Sequence, residues 1–318
     1  ALASMHGHTL VLPDFKDVHG PQHGAAPAST TILPFSHFYE EAPWAAHARA
    51  HNFTTARALP PHLVQACTKQ LSFAASFPYA LTAAFYAGWA ATHGVLCLTG
   101  RAVWFGMEGS DVPDIGWGRN AVHAAGLVPS RLYRDEVAGM LARAAARFGT
   151  DAFIAVHVRT EADWGRVCGL GGDRRQTDHW LGTSDRACLV TPDQVAAFLQ
   201  GGQVGGGAAA VPRGSLAFIM SADPVSSMPS LCGPGGWLRC FDADDVWPPG
   251  ARHRSLAPLI PRTQLVRAYV SYLLAERATA VYGNAHSTFS QQLVEGARGA
   301  GRVGAFYNPK CPLDQPCP

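Results

Sequence analysis

The sequence predicts an α/β protein whose second half is a doubly wound parallel sheet. Two predominantly apolar runs, residues 153–158 and 215–220, have the length and composition of strands buried on both faces. Helical spacing of apolar residues marks other segments, most clearly 134–148 and 263–277. Strands that alternate with helices in this way form a parallel sheet covered by helices.

The first half carries weaker signals. Residues 9–12 are suited to a short buried strand and residues 94–99 to another. Residues 17–62 are rich in histidine, proline and aromatic residues with little periodicity, which predicts irregular loops around short helices. A pair of prolines then opens a helix predicted over 62–71.

The helix over 134–148 marks the predicted boundary between two domains. Gly149 follows it where a left-handed C-terminal cap belongs, and a strand begins a few residues later. A chain of 318 residues is long enough for two domains of ordinary size. We therefore predict an N-terminal domain over residues 1–149 and a C-terminal domain over 150–318.

The C-terminal half continues the alternation of strands and helices. Thr191 is suited to cap a short helix that begins at Pro192. Residues 201–214 form a low-complexity loop rich in glycine and alanine, to which we assign no chemistry. A strand over 279–282 completes the predicted sheet, and a helix over 288–298 follows it.

Composition excludes some classes of protein. Hydrophobic side chains make up 47% of the sequence and charged ones 15%, so the chain can bury a sizeable core. The formal net charge is +2 and no block of lysine or arginine stands out, which argues against a nucleic-acid-binding protein. No apolar run reaches the roughly 18 residues that a membrane span requires, so we expect none in this sequence.

The cysteines and one sequon favour the lumen of the secretory pathway. The sequence contains eight cysteines: Cys67, Cys97, Cys168, Cys188, Cys232, Cys240, Cys311 and Cys317. An even number is compatible with four disulfides, whose connectivity the sequence does not determine. Asn52 begins an Asn-Phe-Thr glycosylation sequon. The alternative is a cytosolic protein with several buried free thiols.

The beginning of the chain resembles the middle of a domain. Residues 1–6 have the character of the last turns of a helix, and a strand follows directly, with no start signal for the helix. We expect the chain to be part of a longer polypeptide.

Four polar residues lie at and beyond the end of the buried strand 153–158. His157 and Arg159 are two positions apart, so on a strand both side chains project to the same side, and Glu161 and Asp163 come next. Ligands of parallel sheets bind just beyond the carboxyl ends of the strands. A guanidinium there suits a phosphate because its planar fork grips two oxygens at once. The alternative is an ion pair between Arg159 and one of the two acids that fixes the loop.

Small and hydroxyl residues connect the strand at 279–282 to the next helix. Thr288 followed by Gln291 fits a capping box, and Ser287 is a competing cap. A helix start offers free N–H groups and the positive end of the helix dipole to a phosphate, and hydroxyls of Ser287, Thr288 or Ser290 could add to them. Ordinary capping without a ligand is the alternative. The segment is neither a Walker motif nor a dinucleotide-binding fingerprint.

These two segments and the tip at residues 221–223 all follow strands of one predicted sheet, so we expect them to converge on one ligand. Their residues also resemble a known family, the protein O-fucosyltransferases and their plant and algal relatives. The segment 157–164 resembles the family's H-x-R-x-x-x-D-W motif, and 283–290 resembles its C-terminal small-residue turn followed by Ser-Thr-Phe-Ser. Residues 216–223 and 7–13 are similar to two further strands of that family.

The resemblance implies a GT-B-like fold, in which two Rossmann-like domains face each other across a cleft and the second binds GDP-fucose. Arg159 would then hold the diphosphate and stabilise the departing GDP. The phosphate seat would be completed by Ser287, Thr288 and Phe289. His157 and Asp223 would lie near the nucleoside.

The resemblance also implies that the enzyme needs no metal and no cofactor, and that GDP-fucose is its donor substrate. An Asp-Ala-Asp-Asp run begins at Asp242, in what the sequence suggests is a proline-rich loop, and is the competing metal hypothesis. Asp163 would orient Arg159 or the catalytic base. The family's first Gly-Gly-x-Asn-type loop would precede Ala1, so within this sequence Glu161 is the acid we nominate as a catalytic residue.

Two functions from different classes follow. The first is a glycosyltransferase of the endoplasmic reticulum or Golgi that moves fucose from GDP-fucose to a protein Ser/Thr hydroxyl or a glycan, with inversion of the anomeric centre. The second is a catalytically inactive binding or structural protein, secreted or at the cell surface, that retains the fold. A different nucleotide-sugar donor on the same scaffold is a weaker third possibility.

Overall fold

The computed structural model describes residues 9–12, 14–19, 29–64, 88, 91–92, 126–160, 189–201, 210–247, 264–285 and 287–308. The chain divides into two compact units. The first comprises residues 1–16 and 32–131, and the second comprises 17–31 and 132–318.

The first unit contains a pair of parallel strands and two helices. β1 (Thr9–Val11) pairs with β4 (Thr54–Ala56), α1 covers Phe35–Phe38 and α2 covers Glu41–Ala50. Asn52 adopts a left-handed φ of 61°, which turns the chain from α2 towards β4. The core consists of Leu12, Phe35, Trp44, Ala48 and Phe53.

A second strand pair joins β2 (Phe15–His19) to β3 (Ser29–Leu33). The prediction of loops and helices alone across 17–62 is therefore wrong. The Ser-Thr-Thr-Ile-Leu sequence of β3 is rich in β-branched residues, which favour strands even where alternation is too short to be recognised. Residues 61–64 are helical, as predicted, whereas the strand predicted over 94–99 lies outside the described residues.

The long helix α3 (Arg131–Phe148) begins three residues before its predicted start. Gly149 ends it with a φ of 73°, as the sequence predicts. The domain boundary near Gly149 stays a prediction; the compact units divide at residue 131. The helix between these positions packs within the second unit, where Tyr133 meets Tyr269 edge-on with ring centroids 4.9 Å apart.

The second unit is built on a five-stranded sheet in the order β7-β6-β5-β8-β9, and all of its pairings are parallel. The strands are β5 (Ile154–His157), β6 (Leu216–Met220), β7 (Arg239–Phe241), β8 (Ala280–Gly283) and β9 (Val303–Phe306). The helices are α4 (Pro192–Gly201), α5 (Pro229–Cys232), α6 (Ala243–Val246), α7 (Gln264–Ala275) and α8 (Thr288–Gly299), with a short 3-10 helix at Val225–Ser227. The predicted α/β class with parallel sheets is confirmed.

The central strands are buried as their composition requires. Every residue of β5, β6 and β8 is buried, because helices cover both faces of a parallel sheet. Thr191 caps α4 as predicted: its hydroxyl accepts from the Gln194 N–H at 3.3 Å, and the Gln194 side chain accepts from the Thr191 N–H at 2.8 Å. The edge strands β7 and β9 were not predicted, because each is short and partly exposed.

One disulfide joins Cys232 at the end of α5 to Cys240 in β7, eight residues apart, with the two Cα atoms separated by 5.3 Å. The six other cysteines lie outside the described residues. No helix in the described part of the chain is both long enough and apolar enough to cross a membrane.

Candidate functional site

The strand order places a topological switch point between β5 and β8. The chain moves outward from β5 through β6 to β7, and it returns to the opposite side of β5 to form β8 and then β9. The connections that leave β5 and β8 therefore diverge, and this switch point is where open parallel sheets bind ligands. The two segments singled out by the sequence follow these two neighbouring strands.

The carboxyl end of β5 presents His157, Arg159 and Thr160. Pairing with β6 continues one residue past the strand, since the Val158 N–H donates to the Met220 carbonyl at 2.9 Å. Arg159 and Thr160 are then partly buried at the tip. Glu161 and Asp163, the nominated acids, lie outside the described residues, so their roles stay predictions.

A buried hydrogen bond joins this tip to the start of α8. His157 Nδ1 lies 2.6 Å from the Ser290 hydroxyl, and the Phe289 ring meets the imidazole edge-on at 5.0 Å between centroids. Burial, together with the smaller effect of the nearby positive charge of Arg159, lowers the pKa of His157 from 6.5 to about 3. His157 is therefore a neutral ring at physiological pH.

The helix start differs from the predicted capping box. Ser287 is the N-cap, and the Gln291 side chain donates to the Ala285 carbonyl at 2.6 Å instead of reaching back to Thr288. Of the two caps that the sequence offered, the structure has Ser287, so the capping box from Thr288 to Gln291 is wrong. Gln291 satisfies the buried Ala285 carbonyl instead. The side chain of Thr288 is outside the described part of the structure.

Ser287 occupies the cap position without capping the helix. Its hydroxyl makes no hydrogen bond to the backbone of the first turn, and the oxygen is buried without a hydrogen-bond partner in the described part of the chain. A buried hydroxyl without a partner costs free energy that an acceptor or donor from a ligand would recover. The start of α8 therefore has an unsatisfied polar group beside the ordinary free N–H groups of a helix terminus.

Buried amides hold the turn between β8 and α8. The Asn308 side chain accepts from the Ala285 N–H at 2.8 Å and donates to the Asn284 side chain at 3.1 Å. Tyr307 donates from its hydroxyl to the His157 carbonyl at 2.8 Å. Tyr307 and Asn308 were not among the predicted site residues, because they follow β9, a strand that the sequence did not predict.

Asp223 lies at the end of β6, beside the tip of β5. The Thr160 hydroxyl donates to its carboxylate in a short hydrogen bond, and the Asp223 N–H donates to the Ser221 hydroxyl at 3.1 Å. Asp223 is partly exposed, so the carboxylate retains lone pairs for a ligand. The structure thus connects His157 with the start of α8 through Ser290, and Asp223 with the end of β5 through Thr160.

The acidic run at Asp242 has a structural role. Asp242 caps α6, accepting from the Asp244 and Asp245 N–H groups at 2.8 and 3.2 Å. Asp244 pairs with both terminal nitrogens of Arg267 at 3.0 and 2.9 Å, and Asp245 pairs with Arg147 at 2.9 Å. The run is a capped helix start rather than a loop. Within the described ranges no group of three His, Cys, Asp or Glu residues could hold a metal ion.

Comparisons with known proteins give a structural likeness. No protein-family model matches the chain, and no curated protein matches it in sequence. Among solved structures, the chain is similar to POFUT1 (protein O-fucosyltransferase 1) in complex with GDP-fucose, at 17% identity and a TM-score of 0.49, over 96% of this chain and 91% of that chain. It is also similar to POFUT1 in complex with GDP, at 15% identity and a TM-score of 0.49 over the same shares.

Proposed function

We propose that this protein is a glycosyltransferase that binds the diphosphate of GDP-fucose at the switch point between β5 and β8. The observation that carries the proposal is the meeting of the two segments at the switch point. The buried His157–Ser290 hydrogen bond ties the Arg159 tip to a helix start whose Ser287 oxygen is buried without a partner among the described residues.

The two segments offer complementary means of binding a diphosphate. The N–H groups of the first turn of α8 and the positive end of its dipole suit one phosphate, and the Ser287 hydroxyl supplies a further donor. The Arg159 guanidinium supplies a full positive charge and can grip two oxygens. Since negative charge grows on GDP as the sugar departs, Arg159 would stabilise the transition state more than the ground state.

His157 and Asp223 would lie near the nucleoside, beside the phosphate seat to which Phe289 belongs. Phe289 is held in place by edge-to-face contacts with Tyr272, at 6.0 Å between ring centroids, and with His157. The Asp223 carboxylate suits a donor such as a ribose hydroxyl or a ring N–H of guanine. Thr288 would add its hydroxyl to the phosphate seat.

The acceptor side is proposed on sequence grounds. Glu161 would act as the base that takes the proton from an acceptor hydroxyl, and Asp163 would orient Arg159. In-line attack of that hydroxyl on the anomeric carbon would invert its configuration. With the charge of the leaving GDP balanced by Arg159 and α8, the reaction would need no metal.

The proposed location is the lumen of the secretory pathway. The Cys232–Cys240 disulfide supports it, since such bonds persist in oxidising compartments. Asn52 supports it as well, because this sequon asparagine is exposed at the end of α2.

Calorimetry with GDP, GDP-fucose and UDP, followed by a fucose-transfer assay, tests the proposal. We expect GDP and GDP-fucose to bind with micromolar affinity and UDP to bind far more weakly, and we expect transfer to a protein or glycan acceptor. Binding of GDP without transfer to any acceptor would instead support the inactive descendant. An absence of GDP binding would overturn both the glycosyltransferase and the nucleotide site.

A further inference from the structure

The Ser290 hydroxyl has only two hydrogen-bond partners in the described part of the chain. The Asn284 N–H donates to its oxygen at 3.0 Å, and His157 Nδ1 lies 2.6 Å from the same oxygen. The Asn284 N–H has no alternative role, since an amide nitrogen only donates. Ser290 is fully buried, so water does not reach its hydroxyl.

The Ser290 proton must therefore be directed at His157. A hydroxyl has a single proton to donate and can accept twice. If His157 carried a proton on Nδ1, Ser290 would accept from both neighbours and its own buried proton would have no acceptor among the described residues. The arrangement is satisfied when Nδ1 is unprotonated and accepts from Ser290, which places the ring proton on Nε2.

Gly283 permits this contact. A Cβ atom at position 283 would lie 2.6 Å from the Ser290 Cβ and 2.8 Å from its Oγ, closer than side chains tolerate. The absence of a side chain at the end of β8 thus lets the first turn of α8 approach the neighbouring strand, where Ser290 reaches His157. The glycine, the serine and the histidine form one packed unit across the switch point.

The Nε2 side of the ring is available to a ligand. Nε2 makes no hydrogen bond with any described residue, whereas Nδ1 is occupied by Ser290. Among the residues described, Arg159 is the charged group that acts on the ring, and the Tyr307 hydroxyl donates to the backbone carbonyl of His157. A neutral N–H donor beside a guanidinium suits an acceptor oxygen.

We propose that Ser290 is a positioning residue that holds His157 in the neutral Nε2–H form, so that the ring is a fixed donor for an acceptor oxygen of the bound nucleotide. The ligand half of this inference rests on the proposed function, and the proton assignment does not. The low pKa of His157 is consistent with it, because the ring keeps one proton throughout the physiological range.

Long-range proton–nitrogen NMR of the full chain, labelled with nitrogen-15, tests the assignment. The His157→Gln variant identifies the His157 signals by their loss. In the native protein we expect a pyridine-type Nδ1 and a pyrrole-type Nε2 that do not titrate between pH 8 and 5. Ser290→Ala should produce a mixture of both tautomers, whereas Ser287→Ala, which removes a hydroxyl from the same helix start without touching His157, should leave the signals in place.

Addition of GDP then tests the ligand half. We expect the Nε2 signal to shift and the Nδ1 signal to stay, and we expect Ser290→Ala to weaken GDP binding several-fold. A pyrrole-type Nδ1 in the native protein would overturn the inference and leave the proposed function intact. The expected tautomer without any binding of GDP would overturn the proposed function and leave the proton assignment standing. GDP binding with no change at Nε2 would refute the donor role alone.

Discussion

His157 and Ser290 are 133 positions apart in the sequence and share a buried hydrogen bond of 2.6 Å. It joins β5 to the helix that follows β8, across the switch point. Because burial lowers the folded-state pKa of His157 from 6.5 to about 3, the unfolded chain binds a proton near pH 5 that the folded protein does not. Stability from this group is thus complete above pH 6.5 and is lost as the pH falls below it.

His157→Gln should therefore flatten the acid side of the stability profile. Between pH 6 and 4 we expect the wild type to lose roughly 1.4 kcal/mol more per pH unit than the variant, which is the value of one proton. Urea unfolding at a series of pH values measures the two slopes. Parallel slopes would show that His157 titrates normally in the folded state.

Gly283→Ala should destabilise the second unit and weaken nucleotide binding. The added Cβ would lie 2.6 Å from the Ser290 Cβ and push α8 away from β8, at a cost of about 1–3 kcal/mol. Gly296→Ala is the matched control within α8, since a Cβ atom added there would have nothing within 4 Å and alanine favours a helix by about 1 kcal/mol. Urea midpoints should move in opposite directions for the two variants, and a tolerated Gly283→Ala would contradict the close approach.

Thr160→Val should reduce affinity for GDP. It removes the hydroxyl that holds the Asp223 carboxylate at the end of β5. A hydrogen bond to a charged group contributes about 1.5–3 kcal/mol, so we expect affinity to fall by roughly 10-fold or more. Thr160→Ser keeps the hydroxyl and should bind as the wild type does. Equal loss in both variants would show that the methyl group, rather than the hydrogen bond, matters.

Asp242→Asn tests the structural role of the acidic run. Burial raises the pKa of Asp242 above its ordinary 3.8, so the wild type loses stability from this group as the pH rises above 3.8. Asparagine retains the cap acceptor without the charge. The free energy of unfolding of the variant should therefore rise relative to that of the wild type between pH 4 and 7. Asp242→Ala removes the cap and should cost about 0.5–2 kcal/mol. A constant difference between Asn and Asp across this range would contradict the raised pKa.

The sequence predicted the central strands and the helices that cover them, because continuous apolar runs and helical spacing are strong local signals. It did not predict β7 or β9, which are short edge strands stabilised by pairing with β6 and β8. Consequently Tyr307 and Asn308, which follow β9 and brace the site, carried no signal. The local pattern also favoured Thr288 as the cap of α8, whereas in the structure Ser287 is the N-cap.

The sequence predicted the candidate site as two segments, 157–164 and 283–290. Their contact was expected because both follow strands of one parallel sheet. His157, Asp223 and Ser287 were chosen individually, and their partners Ser290 and Thr160 depend on which strands are neighbours. The order β6-β5-β8 is a property of the whole sheet, which no local pattern encodes. Glu161 and Asp163 stay predictions.

The dissociation constant of GDP for Arg159→Ala tests the central claim most directly. Arg213→Ala is the matched control. Arg213 precedes β6, at the amino ends of the strands and away from the proposed site, and it donates to the Gly235 carbonyl at 2.9 Å. A charged hydrogen bond contributes about 1.5–3 kcal/mol, so we expect the dissociation constant to rise roughly 10- to 100-fold for Arg159→Ala. The constant for Arg213→Ala should stay within about twofold. If Arg159→Ala binds GDP as tightly as the wild type, the diphosphate does not lie at this switch point.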